Sequence, residues 1–233
     1  IYYATSDDPH DVVIEDSVFT GSEGDYGGAL WMFRSDLEGP EVSLRIDGCV
    51  FDDSYANYGG AIYLSGFNEV TFTDNAVTNG HARYGYAGAY FTTLGEVTGT
   101  GNLFCGNYAQ ASSTGGLYSS YVEQEVWSRN IFQENETPYF GGGVSVSNGG
   151  DSTFINNTFV GNIAGAAGYG GAFWASNDSV VTFRNNAVAY TQGGDGVVFY
   201  DLGSDLGSSV TYNAFYDNTL DHAGGFASFD PEA

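Results

Sequence analysis

The stretch Phe51-Asp52-Asp53-Ser54-Tyr55-Ala56-Asn57-Tyr58-Gly59-Gly60-Ala61-Ile62 decides the fold, because both of its ends recur along the chain. Its right end is a glycine pair, an alanine and an apolar residue, repeated at Gly27-Gly28-Ala29-Leu30 and Gly170-Gly171-Ala172-Phe173. Looser copies stand at Ala87-Gly88-Ala89-Tyr90, Gly115-Gly116-Leu117-Tyr118, Gly142-Gly143-Val144-Ser145 and Asp195-Gly196-Val197-Val198. Aligned on the second glycine (28, 60, 88, 116, 143, 171, 196), the intervals are 32, 28, 28, 27, 28 and 25. Its left end is an aromatic residue, two intervening positions, then Asn or Ser. This recurs at Phe19, Phe104, Phe132, Phe159 and Phe215, with Thr78 and Val188 assigned to the two gaps. Two separate markers thus keep one period near 28, and fixed self-similarity of this kind marks a solenoid. The one long interval coincides with an insertion at 34–41 containing the turn signal Gly39-Pro40.

Between the markers lie short alternating runs: Val42-Ser43-Leu44-Arg45-Ile46, Val70-Thr71-Phe72-Thr73, Val181-Thr182-Phe183-Arg184 and Val210-Thr211-Tyr212. Apolar residues at every second position, rich in β-branched and aromatic types, describe half-buried strands. Helical stripes are missing, the leucine-rich pattern is absent, and the period is too short for a propeller blade. Parallel crossovers are right-handed. The expectation is an all-β, right-handed, single-stranded parallel β-helix of about eight coils, one domain over 1–233.

Stacking gives a second test. Two residues before each aromatic position stand Ser17, Cys49, Ala76, Asn102, Asn130, Asn157, Asn186 and Asn213. In a parallel solenoid, equivalent residues lie ~4.8 Å apart. Asn102, Asn130, Asn157, Asn186 and Asn213 therefore form an amide ladder at a corner, where Asn also tolerates left-handed backbone. Cys49 takes a ladder position and Cys105 lies two coils on. That is ~9.6 Å, beyond disulfide reach, so two free thiols are expected.

Gly-Gly-Ala-aliphatic and Phe-x-x-Asn tetrapeptides alternating over about 16–218 resemble the repeat of the chlamydial polymorphic outer-membrane protein family. That resemblance implies a β-helical, surface-exposed passenger and an adhesive role. The family's C-terminal membrane barrel has no counterpart here. Phe226 to Ala233 resembles the tail that closes such domains but stops mid-motif, and residue 1 is not Met. The chain is accordingly expected to be a fragment of a longer secreted or surface protein.

Composition narrows the function classes. With 29 acidic residues against 5 basic ones, all arginine, the net charge is −24. Phosphate binding needs basic side chains, so nucleic acid and anionic membranes are excluded as partners. No run of apolar residues reaches the ~18 needed for a membrane span. The 35 glycines and 16% aromatics suit many short strands and tight turns.

Searching for chemistry gives little. Galacturonan hydrolases of this fold share NTD, DD, GHG and RxK motifs, of which only Asp52-Asp53 is present. Calcium-dependent pectate lyases need a basic proton abstractor, and Arg34, Arg45, Arg83, Arg129 and Arg184 fall on different coils. His81 and Arg83 form the one catalytic-looking pair, without a defined carboxylate partner. His10 and His222 lie near opposite ends, with no metal-ligand spacing. The acidic groups Asp7-Asp8, Asp11, Glu15-Asp16, Glu23 and Asp25 permit at most weak surface Ca²⁺ binding. A threonine-paired ice-binding face is rejected. No catalytic, cofactor-binding or metal residue is therefore assigned. Trp31, Tyr63, Phe91, Trp174 and Phe199 form a column read as core, or, if outward, as a strip for a sugar or protein partner. The expected function is a non-catalytic, extracellular or cell-surface scaffold for adhesion or assembly. The partner would be a surface protein or glycan, or another copy through the coil ends. The alternatives are a polysaccharide-active lyase or hydrolase, and a filament subunit stacking end to end.

Overall fold

A computed structural model describes residues 2–3, 10–34, 41–86, 88–111, 113–166, 168–176, 179–193, 197–201, 207–219, 223–224 and 228–229. They form an all-β solenoid with no helix among them. Three parallel sheets run along it. One has eight strands, among them Val50–Asp52, Leu103–Cys105 and Ile131–Gln133. A second has six, among them Glu23–Tyr26, Tyr55–Tyr58 and His81–Gly85. The third has sixteen and is folded into two arms. Strands such as Ile62–Ser65 form the short arm and Glu69–Thr73 the long arm, while Ala89–Thr100 and Leu117–Ser128 run through both. Among the described residues about six turns carry all three sheets, fewer than the eight coils expected, because the eight-stranded sheet also counts turns that have no strand in the six-stranded sheet. The 34–41 insertion is also evident: eight residues separate Leu30–Phe33 from Val42–Asp47, where three separate Ile62–Ser65 from Glu69–Thr73. Residues 35–40 within it, and the tail motif 226–233 apart from 228–229, lie outside the described residues.

Alternation sets what faces the core. Val42, Leu44 and Ile46 are buried while Ser43, Arg45 and Asp47 point outward. Inside, Phe104 stacks on Phe132 at 5.0 Å and Phe132 on Phe159 at 4.9 Å. The gap between Phe51 and Phe104 is filled by Val77, not Thr78. The column faces inward and takes the apolar neighbour, while Thr78 turns outward to donate to Asp52 at 2.6 Å. The ladder register shifts with it, so Asn75 replaces Ala76.

The ladder is a continuous run of amides. Nδ2 of Asn102, Asn130, Asn157 and Asn186 donates to Oδ1 of the next asparagine, ending on Asn213, over 2.9 to 3.2 Å. Each of those Oδ1 atoms also accepts the backbone N–H of the asparagine below. The second amide hydrogen reaches a main-chain carbonyl, as from Asn130 to Gly99 at 3.1 Å. Asn75 extends the run to Cys49, whose Sγ contacts the Ile14 carbonyl at 3.7 Å as an amide would. The ladder asparagines do not themselves adopt left-handed backbone. The residue before each does: Asp74, Gly101, Arg129, Asn156, Asn185 and Tyr212. That turn aims the following amide into the corner. A second ladder, of Asn107, Asn135 and Asn162, repeats the device at the next corner. It is built from the last residue of the Phe-x-x-Asn unit. Cys49 and Cys105 are both free thiols.

Candidate functional site

The glycine corner decides where the outer aromatics go. Gly27 and Gly59 sit at φ of +50° and +60°, and a Cβ on either would strike the Leu30 or Ile62 carbonyl. Only glycine fits a turn this tight. The turn brings the tyrosine before it against the aromatic residue after it. Tyr26 meets Trp31 at 5.2 Å and Tyr63 at 5.3 Å. Coils then join: Tyr26 stacks on Tyr58 at 5.5 Å, Tyr63 meets Tyr90 edge-on at 5.0 Å, and Tyr86 lies on Tyr118 at 3.8 Å. A separate group of Phe140, Tyr169 and Trp174 follows further along.

This corrects the expected column. It faces outward, because it alternates with the buried Leu30, Met32, Ile62 and Leu64. Phe91 does not belong to it: it lies in register with Leu64 and is fully buried, and Tyr90 takes the outward place beside Tyr63 and Tyr118. The reason is a one-residue offset. Buried Leu30, Ile62, Ala89, Leu117 and Val144 share one register, which puts Gly88, Gly116 and Gly143 where Ala29 and Ala61 stand rather than at the second glycine. Phe199 continues the strand register from Trp174.

The wall is partly sealed and partly open. Tyr90 and Tyr118 hydroxyls meet Ser120 and Ser147 beneath them. Burial, then the neighbouring Tyr90 and Tyr26, pushes the Tyr63 hydroxyl up to about 12, and burial beside Tyr118 raises Tyr86 as well. These phenols stay neutral. Tyr26, Phe33, Tyr58 and Tyr84 are open to solvent, each at least a third exposed.

The sequence candidates for chemistry are dispersed. His81 is held edge-on between Tyr55 and Tyr108 at 5.1 and 5.2 Å, with its Nε2 buried and unpartnered. Arg83 lies over the Tyr84 ring at 5.0 Å. Arg45 is paired with Glu15 and Asp47, and Arg34 is buried against Asn68. Asp11 accepts from Ser43 and Asp25 from Asn57. Among the described residues no group of three or more His, Cys, Asp or Glu could hold a metal ion. Asp7, Asp8 and His222 lie outside the described residues, as does the His10 side chain.

Two features had no signal in the period. A groove of about 390 Å³ on the long arm is lined by Glu41, Glu69, Glu96 and Glu123 with Asn68. Inside the solenoid, Glu125 occupies a core position at 2% exposure. It accepts from Trp127 Nε1 at 2.7 Å, Ser119 Oγ at 2.8 Å and Ser152 Oγ at 2.7 Å. Burial outweighs these hydrogen bonds and raises its carboxyl above the usual range.

Over residues 1–188 the chain matches the family described as right handed beta helix region. It belongs to that family. Comparison with curated proteins and with solved structures finds no match. A right-handed β-helix is compatible both with a surface repeat protein and with a polysaccharide-active enzyme, so the site rather than the fold must separate them.

Proposed function

We propose that this chain is a non-catalytic, extracellular or cell-surface scaffold for adhesion or assembly, and that the aromatic wall is its contact face. The observation that carries this reading is the outward direction of the wall. Tyr26, Phe33, Tyr58 and Tyr84 are exposed side by side on a chain of net charge −24. Contiguous exposed aromatics on an otherwise charged surface mark a contact site. The alternating Gly-Gly-Ala and Phe-x-x-Asn units, and the resemblance they carry to polymorphic outer-membrane passengers, support the surface setting. The partner is a surface protein or glycan.

The test uses beads coated with the chain and surfaces coated with cells, matrix proteins and polysaccharides. Attachment that falls with Tyr58→Ser and Phe33→Ser, with melting temperature maintained, supports the reading. Attachment indifferent to both substitutions overturns it. The carboxylate groove at Glu69, Glu96 and Glu123 favours the second reading, a polysaccharide-active enzyme. Turnover on a panel of neutral and uronic polysaccharides, lost in Glu96→Gln, would establish that one instead.

A further inference from the structure

The wall holds a concave place. Tyr26, Trp31, Phe33 and Tyr63 line a cleft of about 240 Å³. Its walls stand at an angle, since Tyr26 is tilted 30° from Trp31 and 75° from Tyr63. Tyr26 and Phe33 are 39% and 38% exposed, so ring surface faces the opening. Asp25 is exposed beside Tyr26, with its Oδ1 held by Asn57 Nδ2 at 2.9 Å, and Glu23 is exposed on the same strand.

Two observations indicate what fills it. The charge of 29 acidic against 5 basic residues draws cations toward the surface and repels anions. The chain's own rings already accept guanidinium groups, with Arg83 over Tyr84 at 5.0 Å and Arg184 over Tyr212 at 5.3 Å. Aromatic rings set at angles around a space, with the exposed carboxylates Asp25 and Glu23 on the strand that carries Tyr26, suit an organic cation, and indole is the strongest partner. A planar guanidinium also stacks on a ring face, which an ammonium does not. A neutral sugar would use the rings but gain nothing from the field.

We propose that this cleft is an aromatic cage for an arginine side chain on a basic segment of a partner protein. The proposal rests on the reading of the wall as a contact face, and it names the partner's chemistry.

The test titrates the full chain with a short glycine–arginine alternating peptide, its lysine counterpart of equal length and charge, and a neutral oligosaccharide. The variants are Tyr26→Leu with Phe33→Leu, Tyr26→Phe, and Asp25→Asn. The expected result is arginine-peptide binding about tenfold weaker in the double leucine variant at unchanged net charge. Tyr26→Phe keeps the ring and the affinity, and the preference of the wild type for the arginine over the lysine peptide supplies the answer if the double variant fails to fold, equal affinity for the two overturning the cage. Asp25→Asn weakens binding by a smaller factor, and the lysine peptide binds less tightly than the arginine one. Equal arginine-peptide affinity in wild type and ring variants means the overall charge alone does the binding, and the cage is wrong. Ring-dependent binding of the oligosaccharide without ring-dependent peptide binding assigns the cleft to a glycan and overturns the cage, while the contact-face reading stands. The contact-face reading falls separately, if bead attachment ignores the ring substitutions.

Discussion

Replacing Asn130 by alanine tests the ladder where it is most enclosed. Asn130 Oδ1 accepts both the backbone N–H and the Nδ2 of Asn102, each at 2.9 Å. Its own Nδ2 donates to the Gly99 carbonyl at 3.1 Å and to Asn157 Oδ1 at 3.1 Å. The substitution removes four hydrogen bonds and strands two donors of Asn102, a residue only 1% exposed. A buried donor without an acceptor costs ~1–3 kcal/mol, so two of them with the lost Asn130 contacts cost about 4 kcal/mol. Asn213 supplies the control. It accepts the same pair of bonds from Asn186 but is half-buried, so water can replace it. Asn213→Ala should cost about half as much. Urea unfolding followed by the fluorescence of the buried Trp127 reads both values. A cost below ~1 kcal/mol for Asn130→Ala, or equal costs at the two positions, would refute the argument that enclosure sets the ladder's worth.

Three further outcomes are expected. Glu125→Gln should change the pH dependence of stability. The Glu125 carboxyl is raised by burial in the folded state, so its contribution is full below the unfolded carboxylate pKa of about 4.3 and is lost as pH rises through the folded value. The stability of wild type relative to Glu125→Gln should therefore fall with rising pH, and a difference that stays flat from acid to neutral pH would count against it. Gly99→Ala should destabilise by ~2–3 kcal/mol, because its Cβ would stand 2.0 Å from the ring of buried Trp127, and Trp127→Leu should recover part of the loss in a double-mutant cycle. In thiol labelling, half-buried Cys105 should react slowly in the native state and fully buried Cys49 only on unfolding. The native Cys105 rate should climb only above the ordinary thiol range, since burial raises that thiol. Equal native labelling of the two would contradict their placement.

The period of the coil was legible because stacking demands the same residue at the same place. Where demand is weaker, the register was not. Val77 and Asn75 escaped notice because the coil between Phe51 and Val77 is one residue shorter than that between Val77 and Phe104, and a slip of one exchanges inward for outward. A slip of one in the glycine register likewise placed Phe91 in the aromatic column in place of Tyr90. Glycine is a poor alignment mark here, because it fills two adjacent corner positions, whereas the buried aliphatic after it fills only one. Glu125 could not have been found at all from pattern. A lone carboxylate within an alternating run reads as an outward residue, and only Ser119, Trp127 and Ser152 converging from two coils make its burial tolerable.

The second tyrosine of the wall was legible in principle. Tyr26, Tyr58 and Tyr169 each stand directly before a glycine pair, and Trp31, Tyr63 and Trp174 stand three residues after it. In these three coils tyrosine, two glycines, two buried residues and an aromatic therefore form one outward unit, folded over a corner that has no side chain of its own. The interior cannot carry recognition, because each inward position is committed to the coil above and below. Recognition has to be written in the outward columns, and these differ from arm to arm. The short arm carries the rings, whereas the long arm carries Asp11, Glu69, Glu96 and Asp151 in one register. If the wall is the contact face proposed above, aromatic and acidic columns joined by a bend of the same strands would offer one partner two kinds of contact. A segment alternating cationic and apolar side chains could span that bend, and a purely apolar or purely anionic one could not use both arms.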